Sequence, residues 1–170
     1  MILKEDSSEQ KLRGAYYTPL KLAKKMVDFF KDDLSIKSIL EPSCGDGVFV
    51  DALLESQFLS QHKRVTAIEI EKKEAEKLSE KLKDNSNIDV VNGDFFEFYH
   101  KHKDMDRYDL ILGNPPYIRY QYLEEKQRSE MAEILTSHGM KANKLINTWV
   151  GFMVACVHML SDNGKIAFVI

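Results

Sequence analysis

The sequence is poor in cysteine, in long apolar runs and in surplus positive charge, and each shortage removes a class of protein. Its two cysteines, Cys44 and Cys156, show neither paired nor metal-ligand spacing. They rule out a disulfide framework and are expected to be free thiols in a reducing compartment. No apolar run approaches the roughly 20 residues of a membrane-spanning helix. The N-terminus is charged and polar, unlike a secretory signal. The expected location is the cytoplasm, without membrane contact. A net charge of -3 gives no bulk positive field with which to grip a nucleic acid unaided. His100 and His102 flank Lys101 with no third ligand near, so no metal site is expected. Internal repeats and low-complexity segments are absent.

What is present is a globular composition, 44% hydrophobic and 30% charged over 170 residues, enough for one domain with a sizeable core. Apolar stretches of two lengths alternate. Short runs at Ser35–Glu41, Arg64–Ile70, Ile88–Val91, Tyr108–Gly113 and Lys165–Ile170 read as buried strands. Between them, longer periodic stretches read as helices. Thr18 is placed to cap a helix that Pro19 opens, with Leu22, Met26, Phe29 and Phe30 at helical spacing. Val48–Leu59 carries Val50, Leu53 and Leu54 on one side, and Lys72–Lys83 carries Ala75, Leu78 and Leu82. An apolar helix runs from Leu145 and ends at Asn163-Gly164. Alternation of this kind predicts an α/β domain with a doubly wound, mainly parallel sheet.

The stretch Asn114-Pro115-Pro116-Tyr117 follows the fourth strand, at the edge where an open α/β sheet places its chemistry. Asn-Pro and Pro-Pro also form plain turns. The residue types nevertheless suit one task, activating a conjugated amine. The Asn114 side-chain oxygen and the Pro115 carbonyl can accept the amine's protons, and Tyr117 offers a face on which a base can stack. The other strand ends carry matching features. Pro42-Ser43-Cys44-Gly45-Asp46-Gly47 makes a glycine turn between strand and helix, after Glu41. Glu69 ends the second strand, about 20 residues on, where an acid binds ribose hydroxyls; Glu71 reads as surface charge. Asp94 and Phe95 follow the third strand and can take the amine and face of a purine, whereas Phe96 and Phe98 suit a core. Residues Arg119 to Asn143 show no clear apolar face, apart from a charged helix over Glu124–Leu135 that Gly139 would break. This stretch is expected to be mobile until a base enters.

Together these residues resemble the gamma class of DNA adenine-N6 methyltransferases with an Asn-Pro-Pro-Tyr motif, and Ile118-Arg119 after it resembles the large enzymes of restriction–modification and related phage-defence systems. The resemblance runs in order along nearly the whole chain, through Gly14–Pro19, Leu40–Gly47, Glu69, Asp94-Phe95, Asn114–Tyr117, Asn147-Thr148-Trp149 and Gly164–Ile170. It implies a Rossmann-like class I methyltransferase fold with strand order 3-2-1-4-5 and S-adenosylmethionine as cofactor. The implied cofactor residues are Tyr17, Thr18, Glu41, Ser43, Cys44, Gly45, Gly47, Glu69, Ile70, Asp94, Phe95 and Asn114. The catalytic set is Asn114, Pro115, Pro116 and Tyr117, with Tyr117, Asn147 and Trp149 around a flipped target base. No metal is implied.

The family's sheet has seven strands and a recognition domain beyond them, so residues 1–170 are expected to be one truncated methyltransferase domain, with an N-terminal helix over 19–34 and a core over 35–170. DNA would be bound through the absent part, the chain alone would be inactive on DNA, and its last strand would invite edge-to-edge self-association. Two other readings keep the fold. Enzymes that methylate a glutamine amide share Asn-Pro-Pro-Tyr but lack an opening motif like Gly14–Pro19. A non-catalytic cofactor-binding subunit would not need the intact tetrad.

Overall fold

The computed structural model describes residues 17–59, 63–142 and 147–170; Gly14 to Tyr16 of the opening motif lie outside them. Five strands form one parallel sheet in the order β3-β2-β1-β4-β5. They are β1 (Ser38–Glu41), β2 (Arg64–Glu69), β3 (Ile88–Asn92), β4 (Tyr108–Gly113) and β5 (Leu160–Phe168). The helices are α1 (Leu20–Asp28), α2 (Val48–Glu55), α3 (Lys72–Lys81), α4 (Phe95–His102), α5 (Glu125–Ser137) and α6 (Thr148–His158).

Alternate strand residues serve opposite faces of the sheet. Ile39, Val65, Leu110 and Leu112 meet Ala23 and Val27 of α1 and Phe49, Ala52 and Leu53 of α2. Leu40, Ile68 and Ile111 meet α4, α5 and α6 through Phe96, Met131, Ile134, Phe152 and Ala155. Helices on both faces explain why the inner strands read as continuous apolar runs and not as alternating ones. Both cysteines are buried free thiols. Among the described residues no helix is long and apolar enough to cross a membrane.

Several expectations are corrected. The first helix ends at Asp28, not near residue 34, and Phe29 is 84% exposed. Its inward face is Ala23 and Val27, with Met26 and the following Phe30 partly buried against the same cluster, whereas Leu22 and Phe29 face outward. Thr18 does not cap it; Pro19 holds the N-cap position, with no side-chain cap.

The apolar helix α6 stops at His158, well before Asn163-Gly164. The last strand begins at Leu160, inside the stretch read as helix. Tyr108 pairs with Leu160 and Leu110 with Lys165, so the intervening residues of β5 bulge. A Cβ on Gly164 would lie 2.8 Å from the Tyr108 carbonyl oxygen. This glycine therefore serves close strand approach in the bulge, not a helix end.

The stretch after the tetrad does have an apolar face. It carries a short 3-10 turn at Tyr120–Tyr122 and then α5, which buries Met131, Ile134 and Leu135. The four-residue spacing of Met131 and Leu135 is helical; the charged run from Glu124 to Glu130 just before them hid it. The helix prediction for Glu124–Leu135 holds, and Gly139 follows it at φ +74°.

Candidate active site

Because all five strands are parallel, Glu41, Glu69, Asn92 and Gly113 end along one edge of the sheet. The chain winds from β1 towards β2 on one side, while β4 lies on the other, so a crevice opens between the loops after β1 and β4. The Ser43 hydroxyl bridges it, donating to the Asn114 carbonyl at 3.3 Å.

The glycine turn is held by the next strand. The Cys44 N–H donates to the Ile68 carbonyl at 2.8 Å, and the Gly45 N–H donates to Glu69 Oε2 at 2.8 Å. Glu69 Oε1 accepts the Glu71 N–H at 2.7 Å. Gly45 and Gly47 both have left-handed backbones, at φ +54° and +83°, but for different reasons. A Cβ on Gly47 would lie 2.4 Å from Leu78 Cδ1 in α3, whereas one on Gly45 would meet nothing within 4 Å. Gly47 serves packing, and the space over Gly45 is open to a ligand.

Acids gather under this turn. Glu41 is 1% exposed, and its Oε2 has no hydrogen-bond partner among the described residues. Burial, with Asp46 and Glu69 close by, pushes its carboxyl well above the usual carboxylate range. Burial also raises Glu69, against the pull of its two backbone N–H partners. Burial, then Glu41 and Glu69, raises the Cys44 thiol so far that it stays protonated.

At the end of β3, the Asn92 amide donates to the Glu69 and Ile70 carbonyls at 2.9 and 3.2 Å and ties the two loops together. Asp94 caps α4, its Oδ1 accepting the Phe96 and Glu97 N–H groups at 2.7 and 3.3 Å. Phe95 is buried against Phe152, with ring centroids 4.7 Å apart. Ile70 and Tyr17 are exposed. Phe96 and Phe98 are core residues, as their sequence positions suggest.

In the tetrad, the Asn114 Nδ2 donates to the Thr18 hydroxyl at 3.2 Å. Thr18, misread as a helix cap, thus reaches the end of β4. Pro115 is buried, and the Tyr117 hydroxyl donates to the Val169 carbonyl at 2.7 Å, fixing the ring against the end of β5. Burial raises the Tyr117 phenol, which stays neutral. The carbonyl of Ile118 accepts both the N–H and the hydroxyl of Thr148, at 3.0 and 2.6 Å. Asn147 forms an antiparallel bridge with Arg119 and occupies the N-cap of α6, with its Oδ1 unpartnered among the described residues. Asn147 and the half-buried Trp149 therefore start their helix beside the residues that follow Tyr117. No group of three or more possible metal ligands occurs among the described residues.

The Eco57I restriction-modification methylases match residues 15–170, nearly the whole chain. The chain belongs to that family. The Type II methyltransferase M.AccI of Acinetobacter calcoaceticus is 30% identical over 155 residues, covering 91% of this chain and 27% of that protein. The tRNA1(Val) (adenine(37)-N6)-methyltransferase of Glaesserella parasuis is 24% identical over 142 residues, covering 82% of this chain and 53% of that enzyme. In fold, the chain matches the type I restriction-modification methyltransferase subunit of Streptococcus thermophilus with a TM-score of 0.72 and 19% identity. That match covers 92% of this chain and 34% of the subunit.

The fold is that of the class I methyltransferases, whose cofactor is S-adenosylmethionine. The crevice fits such a group. A zwitterionic sulfonium brings cationic charge, and Glu41 offers a buried carboxylate oxygen without a partner. A ligand backbone needs room at the turn, and Gly45 leaves it. Two residues of this Eco57I-family site escaped sequence reading: Asn92, which joins the second and third loops, and Gln127, which reaches Asp94 from α5. For Gln127 the one signal was Glu124-x-x-Gln127 ahead of an apolar helix, a capping-box spacing.

Proposed function

We propose that this chain is the cofactor-binding and catalytic part of a DNA methyltransferase of a restriction–modification system, acting on adenine N6 of a base turned out of its duplex. The observation that carries the reading is the tetrad at the end of β4, with the Asn114 amide nitrogen donating to Thr18. An amide held in that way turns its oxygen, an acceptor, to the other side. Glu41, the Gly45 turn, Glu69 and Asp94 would hold the cofactor along the sheet edge, with Ser43, Gly47, Ile70 and Phe95 around them. When bound, S-adenosylmethionine supplies an electrophilic methyl group. The Asn114 oxygen and the Pro115 carbonyl accept the protons of the target amine and keep its lone pair off the ring. Neither group titrates near neutral pH, so neither removes a proton outright; the amine sheds one to solvent once methylation has made it acidic. Tyr117, neutral and anchored on β5, stacks the base, with Asn147 and Trp149 beside it.

The similar tRNA enzyme is named for adenine N6, which supports an exocyclic amine as the acceptor and gives RNA as a second reading. The test is incorporation of labelled methyl groups by the complete protein into mixed-sequence DNA and into tRNA, followed by nucleoside analysis. N6-methyladenine in DNA, abolished by Asn114→Ala with cofactor affinity retained, is expected. Methylcytosine, or label in tRNA alone, would overturn the reading.

A further inference from the structure

Asp94 is an expected cofactor ligand that accepts a hydrogen bond from the side chain of another helix. Gln127 Nε2 donates to Asp94 Oδ2 at 2.7 Å, while Gln127 Oε1 accepts the Glu124 N–H at 3.3 Å and completes the capping box of α5. One residue before Gln127, Lys126 pairs with Glu97 in the first turn of α4. The starts of α4 and α5 are thus pinned together, with Leu123 and Met131 buried on either side of the contact.

A carboxylate offers about four acceptor positions, two on each oxygen. Asp94 Oδ1 spends both on the Phe96 and Glu97 N–H groups. Oδ2 spends one on Gln127, and one remains. Gln127 is the only one of these three donors that binds the oxygen carrying that last position. We propose that Gln127 is a positioning residue, which aims the remaining acceptor position of Asp94 at the amino group of the cofactor's adenine and makes the site prefer an amino over a keto purine. The inference rests on the reading of Asp94 as that group's acceptor. It also makes α5, which follows the catalytic tetrad in sequence, part of the cofactor pocket.

The experiment compares binding of S-adenosylhomocysteine with that of S-inosylhomocysteine, whose ring carries a keto oxygen in place of the amine. Calorimetry is run on the full chain and on Gln127→Glu, Gln127→Leu and Asp94→Ala. Glutamate serves a capping box as well as glutamine, so Gln127→Glu keeps the start of α5 while setting a like charge against Asp94. The parent should prefer the adenine compound, and Gln127→Glu should lose roughly 5- to 10-fold of that preference, Gln127→Leu somewhat less. If Asp94→Ala abolishes the preference while both Gln127 variants keep it, the inference falls alone. If Asp94→Ala also keeps it, the reading of Asp94 falls and takes this inference with it.

Discussion

The Asn114 side-chain amide donates to the Thr18 hydroxyl at 3.2 Å, joining positions 96 residues apart and linking the end of β4 to the approach to α1. A side chain expected to touch cofactor therefore also orients the residue expected to touch the target amine. Thr18→Val keeps the shape and removes the acceptor. In the complete enzyme it should lower kcat by roughly 3- to 10-fold, the worth of one ordinary hydrogen bond. Thr18→Ser should restore it, and cofactor affinity should move less than kcat. Unchanged turnover in Thr18→Val would show that the hydroxyl does not set the amide.

Glu69 joins two functions that its sequence position suggested only in part. Its carboxylate accepts the Gly45 and Glu71 N–H groups at 2.8 and 2.7 Å, so it shapes the glycine turn in addition to the cofactor role proposed for it. Hydrogen bonds to a charged group are worth ~1.5–3 kcal/mol. Glu69→Ala should weaken S-adenosylmethionine by roughly 10- to 100-fold and also lower the melting temperature. A loss of affinity with unchanged melting would mean that the two N–H groups find other acceptors.

How far the sequence reveals this fold depends on the range of each interaction. The five strands and the positions of Glu41, Glu69, Asp94 and Asn114 at or just past their ends follow from local periodicity and were legible, whereas the strand order came only with the family resemblance. The β5 bulge was not. It exists because Gly164 passes the Tyr108 carbonyl and because Ser161 donates to Asp109 Oδ1 at 2.8 Å. Nothing near residue 164 encodes either partner, and Asn-Gly locally means a turn. The Gln127–Asp94 and Thr18–Asn114 contacts are likewise tertiary, spanning 33 and 96 residues.

Asp109 exemplifies a structural acid hidden in a strand. Burial would raise its carboxyl, but the Lys37 and Ser38 N–H groups and the Ser161 and Ser38 hydroxyls outweigh burial and hold it below its ordinary value. A depressed acid stabilises the fold above its unfolded value and loses that contribution as pH falls through the folded one. Asp109→Asn should therefore destabilise the chain at neutral pH, with the difference from the parent shrinking under acid. Melting curves across pH check this; a difference independent of pH would remove the charge from the account.

The two glycines of the turn should separate stability from binding. In Gly47→Ala the new Cβ meets Leu78 at 2.4 Å on a left-handed backbone, so strain and overlap add. Overpacking costs ~1–3 kcal/mol, and melting should fall clearly. Gly45→Ala meets no atom within 4 Å and bears backbone strain alone, about 1 kcal/mol. Its melting should change less, yet its methyl group occupies the space read as ligand space. Gly45→Ala should thus lose more cofactor affinity per degree of melting than Gly47→Ala; the reverse order would move the ligand off Gly45.

Glu41 should trade stability for binding. Its buried carboxyl keeps a proton to a higher pH than it would in the unfolded chain. Between the ordinary and the raised value the folded state holds a proton that the unfolded state has lost, so stability declines as pH rises through that window. Glu41→Gln has the same shape and nothing to ionise. At pH 8 it should melt higher than the parent, by ~2–4 °C for each kcal/mol recovered in a chain of this size, with the gain vanishing under acid. Binding should move the other way. A cationic cofactor favours the carboxylate, so the parent should release protons on binding and bind more weakly as pH falls. Glu41→Gln should bind roughly 10- to 100-fold more weakly at pH 8 with less proton release. Calorimetry in two buffers of different ionisation enthalpy measures the release directly. Equal release in parent and variant would mean that Glu41 does not face the cofactor's charge, and its buried, unpartnered oxygen would need another explanation.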